Sequence, residues 1–177
     1  MCATPSLIVC SLILSGISGP FGFFDPLGLT NNLTPGKVRY FREVEVKHGR
    51  VAMLGAVGFV LAESFHPLFG GDIDVPSYVA FQATPLQDLW QGVVATIGII
   101  EFFSITQVDG SFEIRETFPS GDKREAGDFM FDPLGLKPDS PTKLAEMQAK
   151  ELNNGRLAMI AMAGMVGQEL ATGSKLF

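Results

Sequence analysis

The chain has 177 residues, 46% of them hydrophobic and 18% charged, with 20 Gly, 15 Phe and a net charge of −6. That length suits one domain, and so apolar a composition leans toward a membrane. The acidic balance, with no basic stripe, argues against nucleic acid, and the only cysteines, Cys2 and Cys10, form no zinc, disulfide or haem spacing.

Residues 1–19 hold an apolar run at positions 7–14 followed by small residues. The run is too short to span a bilayer and has no basic start, so it reads as a leader or an N-terminal arm. Residues 20–177 read as one domain. It opens on Phe24-Asp25-Pro26-Leu27-Gly-Leu29, which returns unchanged as Phe131-Asp132-Pro133-Leu134-Gly-Leu136. An identical hexapeptide twice in a short chain marks an internal repeat. Asp-Pro with a following Gly is turn chemistry. The simplest role for these loops is to aim the helix behind each of them.

Three helices follow, over about 35–64, 85–106 and 141–170. Each starts at Thr-Pro or Ser-Pro (Thr34-Pro35, Thr84-Pro85, Ser140-Pro141), an N-cap with proline in the first helical position. The expected fold is an all-α membrane protein with three transmembrane helices, the first and third crossed as a pseudo-two-fold pair. Hydropathy alone is indecisive, because charges interrupt the first and third helices. The second helix carries a long apolar run at 92–100. Small residues line one stripe of the first helix (Gly49, Ala52, Ala56) and of the third (Gly155, Ala158, Ala161, Gly164), as close membrane packing requires. Lys and Arg lie before the first helix and between the second and third, and none lies in 66–84, which fits the positive-inside pattern of three spans.

The interrupting charges repeat as well. Glu45-x-x-His48-x-Arg50 in the first helix corresponds to Glu151-x-x-Asn154-x-Arg156 in the third. A Glu and an Arg five residues apart stand about 140° from each other round a helix and pair poorly within it. In a crossed pair, Glu45 meets Arg156 and Glu151 meets Arg50. Each such pairing offsets a cost of ~2.5–3.5 kcal/mol per charge at a bilayer centre. Each Glu then keeps an oxygen free, and His48, Asn154 and Gln168 add neutral donors, a set suited to scattered single metal ligands. Glu101, with Ser104 and Ile105 at the following helical positions, is a further carboxylate of this kind.

Three readings compete. One is a pigment protein whose single ligands each hold one metal. The second is a di-iron carboxylate enzyme built on Glu45-x-x-His48, but that site needs a second such motif and the other copy offers Asn154. The third is a structural membrane protein whose charges only set register, which leaves His48, Asn154, Gln168 and Glu101 unexplained.

The two motifs, each behind a Phe-Asp-Pro-Leu-Gly-Leu loop, resemble the light-harvesting chlorophyll-binding family. The short loops and the Val-Lys-His-Gly-Arg-Val-Ala-Met run are similar to its chlorophyll a/c branch, the fucoxanthin–chlorophyll proteins. The resemblance covers about residues 20–172. It implies chlorophyll magnesium ligands at Glu45, His48, Glu101, Glu151, Asn154 and Gln168, with Gln91 and His66 as secondary candidates and Arg50 and Arg156 as ion-pair partners. Magnesium is a hard cation that takes O and N donors. It further implies carotenoid ends, of fucoxanthin or a relative and of diadinoxanthin, held at the loops of Phe24, Asp25, Pro26 and Leu27 and of Phe131, Asp132, Pro133 and Leu134. The implied cofactors are chlorophyll a, chlorophyll c and these carotenoids. The implied partners are thylakoid lipids, other antenna subunits and a photosystem I or II core, in the plastid thylakoid membrane. The implied activity is light harvesting by a non-enzyme, with photoprotective quenching on the same scaffold as the alternative. The sparse acids of 63–84 (Glu63, Asp72, Asp74) favour harvesting.

Overall fold

A computed structural model describes residue 17 and residues 24–29, 33–65, 74–105, 108–109, 113–114, 126–129 and 131–176. The leader-like stretch, Ile17 apart, and His66 lie outside the described residues. Along the chain come α1 (Pro35–Ser64), α2 (Ser77–Ala83), α3 (Leu86–Ile105), β1 (Val108–Asp109), β2 (Glu113–Ile114) and α4 (Pro141–Thr172). The chain divides into two compact units, residues 1–48 with 106–154 and residues 49–105 with 155–177.

The first unit holds both repeated loops, the leading halves of α1 and α4, and the hairpin. Thr34 caps α1 through its Oγ1, which accepts the Lys37 N–H at 3.4 Å, and the helix begins at Pro35. At the start of α4, the Ser140 carbonyl accepts the Leu144 N–H at 3.0 Å. β1 and β2 pair antiparallel with Val108 opposite Ile114 and Asp109 opposite Glu113. This hairpin departs from the all-α expectation.

The second unit holds the trailing halves of α1 and α4 together with α2 and α3. Here the two long helices meet backbone to backbone. A Cβ built on Gly49 would stand 2.9 Å from the Gly155 Cα, and the reverse distance is also 2.9 Å. Only a hydrogen fits on either side. The rest of the small-residue stripe is less tightly used: Ala158 is buried, but Ala161 and Gly164 are exposed. α4 ends where Gly173 takes φ 65° and its N–H reaches the Glu169 carbonyl at 2.8 Å, the left-handed stop that glycine permits.

α2 was not expected from sequence, which reads 66–84 as loop. Pro76 precedes it and supplies no side-chain cap. Its first two N–H groups, from Ser77 and Tyr78, go instead to the Glu169 carboxylate of α4.

Among the described residues, no helix is long and apolar enough to cross a membrane. Polar residues interrupt the apolar stretches. Glu45, His48 and Arg50 stand inside α1, Glu151, Asn154 and Arg156 stand inside α4, and Gln87, Asp88, Gln91 and Glu101 bracket the apolar part of α3. The burial pattern is equally unusual. Among the described residues the buried apolar side chains are Val38, Leu152 and Ala158, whereas Glu43, Glu63 and Glu169 are buried. Val51, Leu54, Val57, Leu61, Leu157 and Ile160 are exposed on the two long helices. So much uncovered apolar surface on so small a core is a surface made to be covered.

Candidate functional site

The two Phe-Asp-Pro-Leu-Gly-Leu loops have the same local geometry. In the first, Asp25 Oδ1 accepts the Leu29 N–H at 2.9 Å and the Asp25 carbonyl accepts the Gly28 N–H at 3.2 Å. In the second, Asp132 Oδ1 accepts the Leu136 N–H at 3.0 Å, Oδ2 the Lys137 N–H at 2.8 Å, and the carbonyl the Gly135 N–H at 3.4 Å. Gly28 and Gly135 sit at φ 64° and 62°, where a side chain is strained. The two backbone donors from Lys137 and Leu136 hold the Asp132 carboxyl below its ordinary range. With the aspartates turned to their own backbone, the apolar members face out: Leu27 is 79% exposed and Phe131 85%. Phe24 and Leu134 are exposed too, and Pro26 and Pro133 with them.

The motif residues divide between the two units. Glu45, His48, Glu151 and Asn154 belong to the first, and Arg50, Arg156, Glu101, Gln91 and Gln168 to the second. Glu45 is half-buried and carries a contact absent from the sequence reading. Its Oε2 accepts a hydrogen bond from Arg42 Nη1 at 3.0 Å, one helical turn earlier. The His48 ring is exposed, and its Nδ1 lies 2.8 Å from the Val44 carbonyl oxygen. A carbonyl only accepts, so Nδ1 carries the proton. In the neutral ring Nε2 is then left with its lone pair, the state a metal ligand needs.

In the other copy Glu151 is half-buried and Asn154 exposed. Gln168 and Gln91 are exposed, and Glu101 is half-buried. The sequence reading gives Glu101 no partner within its helix, yet in the structure it is not without one. Among the described residues, no three His, Cys, Asp or Glu side chains gather as a metal cluster. Among the described residues the donors stand singly, which suits one ligand per metal. The residues present therefore fit chlorophyll: hard N and O donors stand singly, His48 has a fixed tautomer, and exposed apolar side chains flank them.

Sequence reading missed a second polar group, where the ends of α1 and α4 meet α2. Glu169 is fully buried, its Oε1 taking the Ser77 N–H at 3.1 Å and its Oε2 the Tyr78 N–H at 2.9 Å. Glu63 is buried beside it, with Oε2 on the Leu176 N–H at 2.9 Å and Oε1 3.5 Å from the Ser77 hydroxyl. Lys175 forms an ion pair with Asp74. The one signal in sequence was a carboxylate near the end of each long helix.

Comparison with known proteins identifies the family. The family model described as chlorophyll A-B binding protein matches residues 13–170. The light-harvesting complex stress-related protein 3.2 of Chlamydomonas reinhardtii is 44% identical over 171 residues, covering 93% of this chain and 65% of that protein. The fucoxanthin-chlorophyll a-c binding protein of Isochrysis galbana is 42% identical over 167 residues, covering 90% of this chain and 77% of that protein. The chlorophyll a-b binding protein 7 of Solanum lycopersicum is 33% identical over 174 residues, covering 89% and 61%. The chain belongs to the chlorophyll a-b binding protein family, whose fold is helical and membrane-embedded. It spans 65% of the length of the stress-related relative.

Proposed function

We propose that this protein is a light-harvesting antenna subunit that holds chlorophylls and carotenoids in the plastid thylakoid membrane and passes excitation energy to a photosystem. One observation carries the proposal: a repeated Glu-x-x-His/Asn donor pattern, with Nδ1 of His48 on the Val44 carbonyl, on helices whose apolar faces stand uncovered. Family membership supports it, as does the name of the Isochrysis relative, which speaks of fucoxanthin and chlorophylls a and c. When bound, chlorophyll supplies the light absorption. The chain's part is to place and orient it, so no substrate is turned over.

In this reading α1, α3 and α4 span the bilayer, with α1 and α4 crossed near Gly49 and Gly155. Their polar positions are covered by pigment, which is why hydropathy alone undercounts them. Glu45, His48, Glu101, Glu151, Asn154 and Gln168 each offer one donor to magnesium, with Gln91 behind them. Arg50 and Arg156 are the charge partners the sequence argument assigns to Glu151 and Glu45. The exposed Phe and Leu of the two loops seat carotenoid ends, of fucoxanthin or a relative such as diadinoxanthin. Lipids, further antenna subunits and a photosystem core are the partners. The complex purified from its membrane is expected to show the Soret and red absorption bands of chlorophyll, with chlorophyll c and fucoxanthin in its extract. A colourless protein overturns the proposal.

A second reading, photoprotective quenching, has a specific observation behind it. The Chlamydomonas relative is named stress-related, and this chain buries two carboxylates, Glu63 and Glu169, side by side. Fluorescence lifetime across an acid titration separates the two. A lifetime that holds supports harvesting, and one that collapses as pH falls makes quenching the function.

A further inference from the structure

We propose that Lys47 is the positioning residue for the second repeated loop, and that its hold on Phe129 fixes the seat of the carotenoid end bound there. This rests on the reading of that loop as a carotenoid seat. Lys47 Nζ stands 5.4 Å from the centroid of the Phe129 ring. That lies within the ~6 Å over which an ammonium is drawn to the negative face of an aromatic ring. The same nitrogen is 3.8 Å from Glu43 Oε1, one turn earlier in α1. The Glu43 side chain is 6% exposed and that of Lys47 24%, so the attraction among carboxylate, ammonium and ring is weakly screened. A Glu four residues ahead of a Lys is also the favoured order on a helix. α1 thus presents a cation fixed in place, and a segment far along the chain lays a ring against it.

Phe129 is joined to the loop in a way that transmits this hold. It stands three residues before Asp132, and Gly127 at φ 79° turns the chain into the segment. Next to Phe129, Asp128 Oδ2 accepts a hydrogen bond from Lys137 Nζ at 2.7 Å. The Lys137 N–H in turn reaches Asp132 Oδ2 at 2.8 Å. The two ends of the loop are therefore tied together just where Phe129 meets Lys47. With its base closed, the loop follows Phe129 as one piece, and Lys47 sets where the exposed Phe131 and Leu134 stand against α1. A rigid polyene end is held best by a seat already in its bound geometry, because less ordering is left to the binding step.

Reconstitution of the full chain with chlorophylls a and c and fucoxanthin tests this. Leu27→Ala and Leu134→Ala, each subtracted from the parent circular dichroism spectrum, locate the carotenoid bands of the first and second loops. Lys47→Leu is expected to lower occupancy of the second loop by about twofold or more, while the first loop's band stays in place. Lys47→Arg, which keeps a cation able to stack on a ring, is expected to recover most of the lost occupancy. Phe129→Leu keeps apolar bulk without the ring and is expected to match the Lys47→Leu loss. The double variant is expected to lose no more than either single one, because both remove the same contact. Full occupancy of the second loop in Lys47→Leu overturns the proposal, as does a double variant whose losses multiply. If Lys47→Leu does not assemble, full occupancy in Phe129→Leu overturns it. A full carotenoid count in Leu134→Ala sinks the reading of the loop as a seat, and this proposal with it. A loss in Leu134→Ala beside an unchanged Lys47→Leu sinks this proposal alone.

Discussion

Asp25 and Asp132 show how one residue type turns the same corner twice. Each closes its loop by accepting backbone N–H groups from residues that follow a glycine of positive φ. For Asp132 the sign of the pH effect follows. Its folded pKa lies below the ordinary 3.8, so the contribution to loop order is complete above that value and is lost as pH falls through the lower, folded value. Asp132→Ala is expected to remove it at every pH. Amide exchange at Leu136 and Lys137, followed from neutral to acid pH, checks both statements. Glu169 gives a second prediction at this scale. Replacing it with Gln turns one acceptor oxygen into a donor, so one of the Ser77 and Tyr78 N–H groups loses its partner in a buried site. The cost is about 1–3 kcal/mol, read as faster exchange at those two amides and a lower melting temperature.

The elements differ in how openly they announce themselves. Thr34-Pro35 and Ser140-Pro141 are local signals, and the two long helices begin at Pro35 and Pro141. The repeated donor pattern and the repeated loop were legible for the same reason: each needs only near neighbours in the chain. α2 was not legible, because Pro76 offers no side-chain cap and the carboxylate that replaces it stands 92 residues away. Arg42 was open to a helical reading at three residues from Glu45, but a search for partners ahead of the glutamate, at Arg50, passes over it. The Gly49–Gly155 contact belongs to this scale too. A glycine in a stripe of small residues predicts closeness, but which glycine bears it depends on the register of the two helices. Gly155→Val would drive a branched side chain into a space 2.9 Å from backbone, at a cost of about 1–3 kcal/mol. Gly164→Ala meets nothing within 4 Å and is expected to leave stability nearly unchanged. Thermal unfolding of the pigmented complex compares the two.

Across the described residues of the molecule, burial runs opposite to that of a water-soluble protein. Carboxylates are buried at Glu43, Glu63 and Glu169, while Val, Leu and Ile lie open along the long helices. Helices with this little apolar core among the described residues gain stability from what binds to them. Removing pigment is therefore expected to lower the melting temperature by more than any single substitution named above, measured by circular dichroism before and after extraction. The capping of α2 by Glu169 has a further consequence, for biogenesis. A seven-residue helix without a local cap is not stable alone. During synthesis the Ser77–Ala83 segment emerges well before Glu169 does, and its final shape waits for α4. α1 can form as it leaves the ribosome, but the segment after it is completed only when α4 arrives. A chain truncated before Glu169 would thus lose structure at a place far from the cut.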